Sequence, residues 1–461
     1  MTNTNAMKLF KLAPVAALLA LTVTAGAADS KLATTSSQGK PAWLTDASLS
    51  VNESYDDNVL VVSGLGLPTQ SSWFNDVSLK LGVDLAPALA EGSAVQSLTL
   101  AYQPDRFTYD SASQENYTSH KITDLFKGKI GSFSYSLDNA FLYVDGSKLA
   151  ETYALSQVTG ANQFDKYRNN FTHSVPRERR SQYQDRYTAQ VQWTTAHLYL
   201  RPVSSLTYYN LNTYLFNTSK APYLGYQDYV DRWDVNGGAD LGYRVTSDFA
   251  LTAGYRDGFQ HQDPFSLGIN SDRHYSSNHY QRLLFGFEGK VASWLNVKFS
   301  AGPDYRQFNP NAAISDLKTT RYYGEGQAVA TFSKSQSLTF KYKQQIFVSS
   351  TGLVPYDDIS YTLAYHWNAT RKLGIDLGAK YLESNYTLGN DIAGSAPSLR
   401  DDAEYEGSAG VSYTLIPHLT ANVGYTYDKG FNALTTLAAT YDPAYRDFKH
   451  GVTTFGLKYA F

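Results

Sequence analysis

The sequence predicts an all-β chain that closes into a transmembrane, antiparallel, up-and-down β-barrel of about 18 strands, with 16 as the alternative count. Three observations predict this fold class. Segments of roughly ten residues alternate between apolar and polar side chains, which is the period of a strand with two unlike faces. The breaks between segments alternate between short and long along the chain, as in membrane barrels. The final segment, 455–461, places apolar residues at every second position and ends on Phe461.

The N-terminal residues predict a secretory signal peptide. Two lysines precede a run of small and apolar residues, 12–23, and an Ala-Gly-Ala sequence follows at 25–27. A positive start, a short apolar run and a small-residue cleavage site follow one another in export signals, so we predict residues 1–27 as the signal peptide. The alternative is a buried N-terminal helix. Residues 28–45 then form a short periplasmic segment, and residues 46–461 form the barrel.

The composition excludes several classes of protein. The chain has no cysteine, so no disulfide holds it together. Its formal net charge of -3 is close to zero, which argues against a nucleic-acid partner. After the signal peptide there is no second apolar run of about 18 residues that would predict a transmembrane helix. The mean hydropathy of -0.36 still suits a membrane barrel, because only half of each strand meets lipid.

Each predicted strand is an alternating segment between two breaks. In chain order, the first seven are 47–55, 74–85, 95–107, 117–127, 132–144, 183–194 and 197–209. The next eleven are 229–245, 249–259, 280–291, 295–307, 322–332, 338–347, 357–367, 373–382, 404–415, 419–427 and 448–461. An even number of strands places both ends of the chain on the short-turn side, which is periplasmic in bacterial barrels.

The predicted strand 357–367 shows the two faces clearly. Its odd-numbered residues from Ile359 onward are aliphatic or aromatic, and its even-numbered residues are polar or small. Since aromatic rings favour the headgroup level of a bilayer, rings near strand ends are predicted to form two girdles. These are Trp193, Trp233, Tyr243, Trp294, Phe332, Trp367, Tyr413, Tyr425, Tyr427 and Phe461. The alternative is core packing in a soluble β-sandwich.

If the apolar face meets lipid, the polar face lines a lumen, and about 18 strands leave room for water inside. The pore-lining candidates are Arg186, Arg232, Asp234, Arg256, Arg282, Glu288, Lys298, Asp304, Arg306, Lys341, Lys343 and Lys380. One interpretation is that these charges pair across neighbouring strands and stiffen the wall. The other is that they create a transverse field at a constriction, which sets ion preference.

The long connection 145–181 is the predicted constriction loop, because a loop of this length in a compact fold is usually functional or disordered. Its basic residues are Lys166, Arg168, Arg177, Arg179 and Arg180. Folded inward, the loop would narrow the bore with positive charge. Folded outward, it would contact the phosphates of lipopolysaccharide. The sequence leaves both alternatives open.

The C-terminal residues Gly456, Tyr459 and Phe461 form a G-x-x-aromatic-x-Phe terminus. In this the chain resembles bacterial outer-membrane β-barrel proteins, which implies a signal for the barrel-assembly machinery and a location in the outer membrane of a Gram-negative cell. The sequence YDDNV at 55–59 and Asp145-Gly146-Ser147 resemble the β-barrel porin family often called type 2. That resemblance implies a pore and carries over no catalytic residue. The two carboxylates of YDDNV suggest either a calcium site or simply the solvent-exposed rim of the barrel.

The predicted function is passive diffusion of small hydrophilic solutes through a porin. The sequence contains no G-x-S-x-G, P-loop or H-E-x-x-H motif, so we predict no enzyme, cofactor or metal site. The predicted partners are outer-membrane lipid, lipopolysaccharide, the assembly machinery and the solutes, for a monomer or a homotrimer. The alternatives are a polysaccharide export pore and, from another class, a barrel enzyme or surface adhesin.

Overall fold

The computed structural model describes most of the chain from residue 41 onward. The described residues are 41–59, 61, 69–89, 93–146, 181–210, 216–217, 224–226, 231–262, 277–309, 317–348, 355–385, 399–435 and 447–461. The predicted signal peptide 1–27 and all five basic residues of the predicted constriction loop lie outside them. Among the described residues, no helix has the length and apolarity needed to cross a membrane.

Twenty strands and two short 3-10 helices make up the regular structure of the described residues. The first seven strands are β1 (Leu44–Asp56), β2 (Ser72–Asp84), β3 (Val95–Tyr109), β4 (Tyr117–Ile130), β5 (Phe133–Asp145), β6 (Gln182–Thr194) and β7 (Leu198–Asn210). A two-stranded sheet of β8 (Phe216–Asn217) and β9 (Leu224–Tyr226) follows. The 3-10 helices are Ala86–Ala88 and Ser113–Glu115.

The remaining strands continue the same pattern. They are β10 (Arg232–Arg244), β11 (Phe249–Gln262), β12 (Asn278–Ala292), β13 (Leu295–Phe308), β14 (Leu317–Ser333), β15 (Gln336–Phe347), β16 (Tyr356–Asn368), β17 (Leu373–Asn385), β18 (Leu399–Ile416), β19 (Leu419–Thr435) and β20 (Phe448–Ala460). Each of the eighteen predicted strands corresponds to one of the strands in the large sheet. The largest difference is at β19, which ends at Thr435 rather than at residue 427.

The large sheet is a closed barrel. It contains eighteen strands, each antiparallel to its neighbours, and β1 pairs with β20 as well as with β2. Closure provides hydrogen-bond partners for the backbone N–H and C=O groups of the first and last strands, which would otherwise be open edges. The predicted fold class and strand count are therefore confirmed. The connections 131–132, 293–294 and 417–418 lie at the short-turn end, and those at the opposite, long-loop end are longer.

Apolar side chains lie on the outer face of this barrel. In the β1–β20 ladder, Leu49 pairs with Tyr459 and Val51 with Leu457, and these four side chains are exposed. The intervening pairs, such as Ser50 with Lys458, are on the inner face. All the residues of the predicted girdles that the strands contain follow this outward parity. Their exposure leaves an apolar outer surface, which is the arrangement of a barrel in lipid.

A row of tyrosines crosses the outer face of four adjacent strands. Tyr342, Tyr361, Tyr381 and Tyr405 follow one another on β15 to β18, with ring centroids 4.8–6.2 Å apart. The Tyr381 hydroxyl donates to Glu383 Oε2 at 2.9 Å, two residues nearer the long-loop end. At a headgroup level, aromatic rings are expected to face the hydrocarbon and their hydroxyls to point toward the water at the barrel end. This row therefore has the geometry of one girdle, at the long-loop end.

A polar latch joins the first and last strands at the long-loop end, and we define it as residues 56–58 with 449–451. The Asp57 carboxylate accepts from the Gly451 amide at 2.7 Å, and the Asn58 side chain donates to the Lys449 carbonyl at 2.8 Å. His450 bridges Asp56 on β1 and Asp428 on β19, at 3.1 and 3.2 Å. The YDDNV residues therefore contact β20, and no cluster of metal-ligand type occurs among the described residues.

We expect His450→Ala to weaken barrel closure. Asp56 is almost fully buried, so removing the imidazole leaves two carboxylates near each other without their shared partner. The loss should be about 2–3 kcal/mol of unfolding free energy, measured by urea titration in detergent micelles. His366→Ala is the control, because His366 also contacts an aspartate but is 46% exposed. Equal losses in the two variants would contradict a special role for the latch.

Candidate functional site

The inner face of the barrel carries the candidate site. The strand register places every pore-lining candidate on this face. Each candidate lies an even number of residues along its strand from a residue whose side chain faces the lumen. These residues nevertheless differ in their access to water. Arg232, Arg282, Asp304 and Arg306 are buried, whereas Lys298, Lys341 and Lys343 are exposed. Two sets of inner-face charges therefore have to be distinguished.

The buried set lies under a hairpin that leaves the barrel wall. Pairing of β14 with β15 stops at Gly324 and Gln344, although β15 remains paired with β16 as far as Phe347 and Tyr356. The end of this pair turns into the lumen, and we call it the inward hairpin (residues 345–348 and 355–358). Ile346, at its centre, is 0% exposed. The hairpin therefore occupies part of the bore at the long-loop end.

Two inner-face side chains hold the inward hairpin by its backbone. Arg232 on β10 donates to the Val348 carbonyl at 2.6 Å, and Gln260 on β11 donates to the Ile346 carbonyl at 3.3 Å. The hairpin starts from β15, so it reaches past the ends of β12 to β14 to make these bonds. Buried carbonyl groups need such donors, because an unpaired one is costly. The hairpin is thereby tied to the wall near β10 and β11.

A buried ion network lies beneath the inward hairpin. The Asp304 carboxylate accepts from Arg282 Nε at 2.8 Å and from Arg306 Nη2 at 2.9 Å. Arg306 also donates to Gln260 at 2.6 Å and to Asn278 at 2.9 Å. Asp304 is 0% exposed and Arg306 is 2% exposed. Since a buried charge persists only when it is paired, these groups form one unit that supports the hairpin.

Two tyrosine rings complete this network. The Arg282 guanidinium lies 4.0 Å from the Tyr280 ring centroid and 4.1 Å from that of Tyr323. The Tyr280 hydroxyl donates to Asp234 at 2.8 Å, which brings a second carboxylate into the unit. A guanidinium between two ring faces gains cation–π attraction in addition to its ion pair. The inner face of β10 to β14 is therefore rigid at this level.

A second cluster lies closer to the short-turn end, around Arg201 on β7. Arg201 contacts Asp240 at 3.0 Å and Glu288 at 2.8 Å, and Arg256 contacts the other Asp240 oxygen at 2.7 Å. Sequence reasoning missed Arg201, although its position next to the apolar Leu200, on the opposite face of the strand, marks it as an inner-face residue. This cluster contains two positive and two negative groups and is therefore balanced.

The opposite wall is more acidic. β18, β19, β20 and β1 lie across the lumen from β7, β10, β11 and β12, because these strands are half the circumference apart. Glu404 and Glu406 on β18 share Lys380, at 3.8 and 3.5 Å. Two further carboxylates of this wall are Asp56, which belongs to the polar latch, and Asp428, which contacts His450 of the latch. The inner surface therefore carries an excess of carboxylates on this side, whereas the charges of the other side nearly balance.

The exposed lysines lie just below the point where the inward hairpin leaves the wall. Lys341 and Lys343 are on β15, and Lys298 is on β13, in register with Lys341 through Gln327 of β14. All four residues are exposed and on the inner face. In the described part of the chain, none of these lysines has an ion pair within 4.0 Å. They are the accessible positive charges next to the constriction.

The described constriction is therefore formed by a segment that the sequence analysis did not propose. The predicted loop residues Lys166, Arg168, Arg177, Arg179 and Arg180 lie outside the described residues, so their prediction stands untested. A signal for the inward hairpin exists in the sequence: Ile346, Phe347 and Val348 are consecutive apolar residues that break the alternation of β15.

The comparisons with known proteins give distant structural matches. No protein-family model matches the chain, and no curated protein matches its sequence. Pseudomonas aeruginosa OccK3 (OpdO) is 13% identical with a TM-score of 0.40, over 90% of this chain and 95% of that one. The OccK2 (OpdF) structure in complex with glucuronate is 11% identical with a TM-score of 0.40, over 90% and 98% of the two chains.

The structure of a siderophore receptor matches at the same level. The siderophore receptor PirA from Acinetobacter baumannii is 9% identical with a TM-score of 0.39, over 91% of this chain and 81% of that chain. At such identities and TM-scores, the likeness assigns no function to this chain. Its function has to be inferred from its own residues.

Proposed function

We propose that this protein is a porin of the cell outer membrane, through which small hydrophilic solutes diffuse passively. The observation that supports this most strongly is the division of a closed eighteen-stranded sheet into an apolar outer face and a charged inner face. A barrel of this size leaves room for water between its walls. The inward hairpin then limits the size of the solute, and the inner-face charges set its preferred charge.

The proposed orientation follows from the two ends of the barrel. The short-turn end, with Phe461, faces the periplasm, and the long-loop end faces the outside, where lipopolysaccharide surrounds it. Tyr459 and Phe461 are on the outer face and exposed, where the barrel-assembly machinery can reach them. The inward hairpin and the polar latch then lie near the cell exterior.

Conductance of purified protein in planar lipid bilayers tests the proposal. We expect stable current steps in KCl that scale with the salt concentration, because ions cross through water in the bore. A closed barrel with hydrolytic activity would instead favour the alternative of an outer-membrane enzyme. Uptake of small sugars into proteoliposomes, compared with polysaccharide chains, separates the diffusion pore from an export pore.

A further inference from the structure

The exposed charges below the inward hairpin point to a ligand class. This inference rests on the proposed pore function and deepens it. Lys298, Gln327 and Lys341 form one register row across β13, β14 and β15, and Lys343 is the next inner-face residue on β15. All four are exposed to the lumen. Each of them presents N–H donors, and the three lysines add positive charge.

The spacing allows these donors to reach a single small anion. Adjacent strands are roughly 5 Å apart, so the Cα atoms of Lys298 and Lys341 are separated by about 10 Å. Lys341 and Lys343 are about 7 Å apart along their strand. Because an extended lysine side chain is roughly 6 Å long, three ammonium groups can converge on one point above Gln327.

The neighbouring carboxylates are engaged elsewhere. Glu288, in register with Lys298, accepts from Arg201 at 2.8 Å and from the Tyr199 hydroxyl at 2.5 Å. Glu325, in register with Lys343, accepts from the Tyr323 hydroxyl at 2.8 Å, on its long-loop side. The residues beside Lys341 are Gln327 and Thr362, which are neutral. The lysines therefore keep an excess of positive charge.

We propose that Lys298, Lys341 and Lys343, with the Gln327 amide, form a binding site for small anions bearing a carboxylate or phosphate group. A solute that passes the inward hairpin meets this site before the periplasmic half of the bore. Charge-assisted hydrogen bonds to an oxyanion are stronger than neutral ones. These bonds replace part of the hydration that the anion loses at the constriction. Anions therefore pass preferentially along the wall formed by β13 to β15.

Reversal potentials across a KCl gradient test the proposal. We expect wild-type protein to prefer chloride over potassium. In the variant with Lys298→Gln, Lys341→Gln and Lys343→Gln, the chloride-to-potassium permeability ratio should fall at least about three-fold. A single charge across roughly 6 Å of water already changes the local chloride concentration about three-fold, and it repels potassium as well. The measurements use about 0.1 M salt or less, because higher salt screens these charges.

Two control variants separate charge at this site from other effects. Lys429→Gln removes the same charge from the outer face, where Lys429 lies 4.0 Å from the Phe431 ring, and should leave the ratio unchanged. Replacing the three lysines by arginine keeps the charge and should keep the anion preference. Inorganic phosphate should reduce the KCl current of wild-type protein and have a weaker effect on the triple glutamine variant.

The outcomes distinguish this inference from the proposed function. Current steps with the same permeability ratio and the same phosphate block in the triple glutamine variant would overturn the anion site and leave the pore intact. An absence of current steps in wild-type protein would overturn the pore itself. A fall in the ratio with Lys429→Gln as large as with the triple variant would also overturn the site, since it would show a long-range charge effect.

Discussion

Asp304→Ala is expected to destabilise the barrel by about 3–5 kcal/mol, because it removes one partner of a fully buried ion pair. Asp304 joins Arg282 and Arg306, and all three residues are buried under the inward hairpin. Without the carboxylate, two guanidinium groups face each other in a site that excludes water. Urea unfolding in detergent micelles, followed by intrinsic fluorescence, measures the loss.

Asp376→Ala is a matched control for this variant. Asp376 also lies on the inner face and contacts His366 at 2.7 Å, but its side chain is 62% exposed. Exposed ion pairs contribute little, so the loss should be within about 1 kcal/mol. If Asp304→Ala were as stable as Asp376→Ala, water would have to reach the buried network, and the inward hairpin would not seal it.

Removing the inward hairpin is expected to widen the pore. A variant in which a short Gly-Ser turn replaces residues 346–356 loses the residues that pack against the inner face of β10 and β11. Its single-channel conductance should rise about two-fold, because current follows the open cross-section. The barrel wall should persist, since β15 remains paired with β14 and β16 below the replaced segment. Planar-bilayer recording in KCl measures this change.

A point variant provides an independent test of the same hairpin. Arg232→Leu removes the donor to the Val348 carbonyl and should increase current fluctuations, because one anchor of the hairpin is lost. Arg244→Leu, at the other end of the same strand, is the control and should leave the fluctuations unchanged. A deletion variant with wild-type conductance would show that the hairpin does not narrow the path.

The sequence predicts the barrel wall well because one physical rule governs it. Side chains alternate between lipid and water, so a period of two marks every strand and assigns Lys298 and Arg306 alike to the inner face. The same rule cannot say which inner-face charges remain in water. That depends on contacts such as Arg306 with Gln260, which lie 46 residues apart in the chain.

The inward hairpin shows where the rule ends. Period-two alternation assumes that a strand stays in the wall, and β15 leaves it after Gln344. The apolar run from Ile346 to Val348 indicated a local change but not its direction. Arg201 was missed for a different reason. Its role depends on Asp240 and Glu288, each on a different strand, and a single sequence does not show such pairings.

The departure of β15 from the wall also limits how far the protein can sink into a bilayer. From Leu317 to Tyr323, β14 keeps its ladder with β13, whereas the pairing of β14 with β15 among the described residues begins at Gly324. The strand ladder of a membrane barrel is continuous at the depth of the hydrocarbon, so we expect the lipid tails to end below Gly324, where the described pairing of β14 with β15 stops. Tyr342, two residues before Gln344, belongs to the tyrosine row, and the same level is therefore marked twice. The depth of immersion in the bilayer is therefore set by the point at which β14 and β15 separate as much as by the apolar character of the outer face.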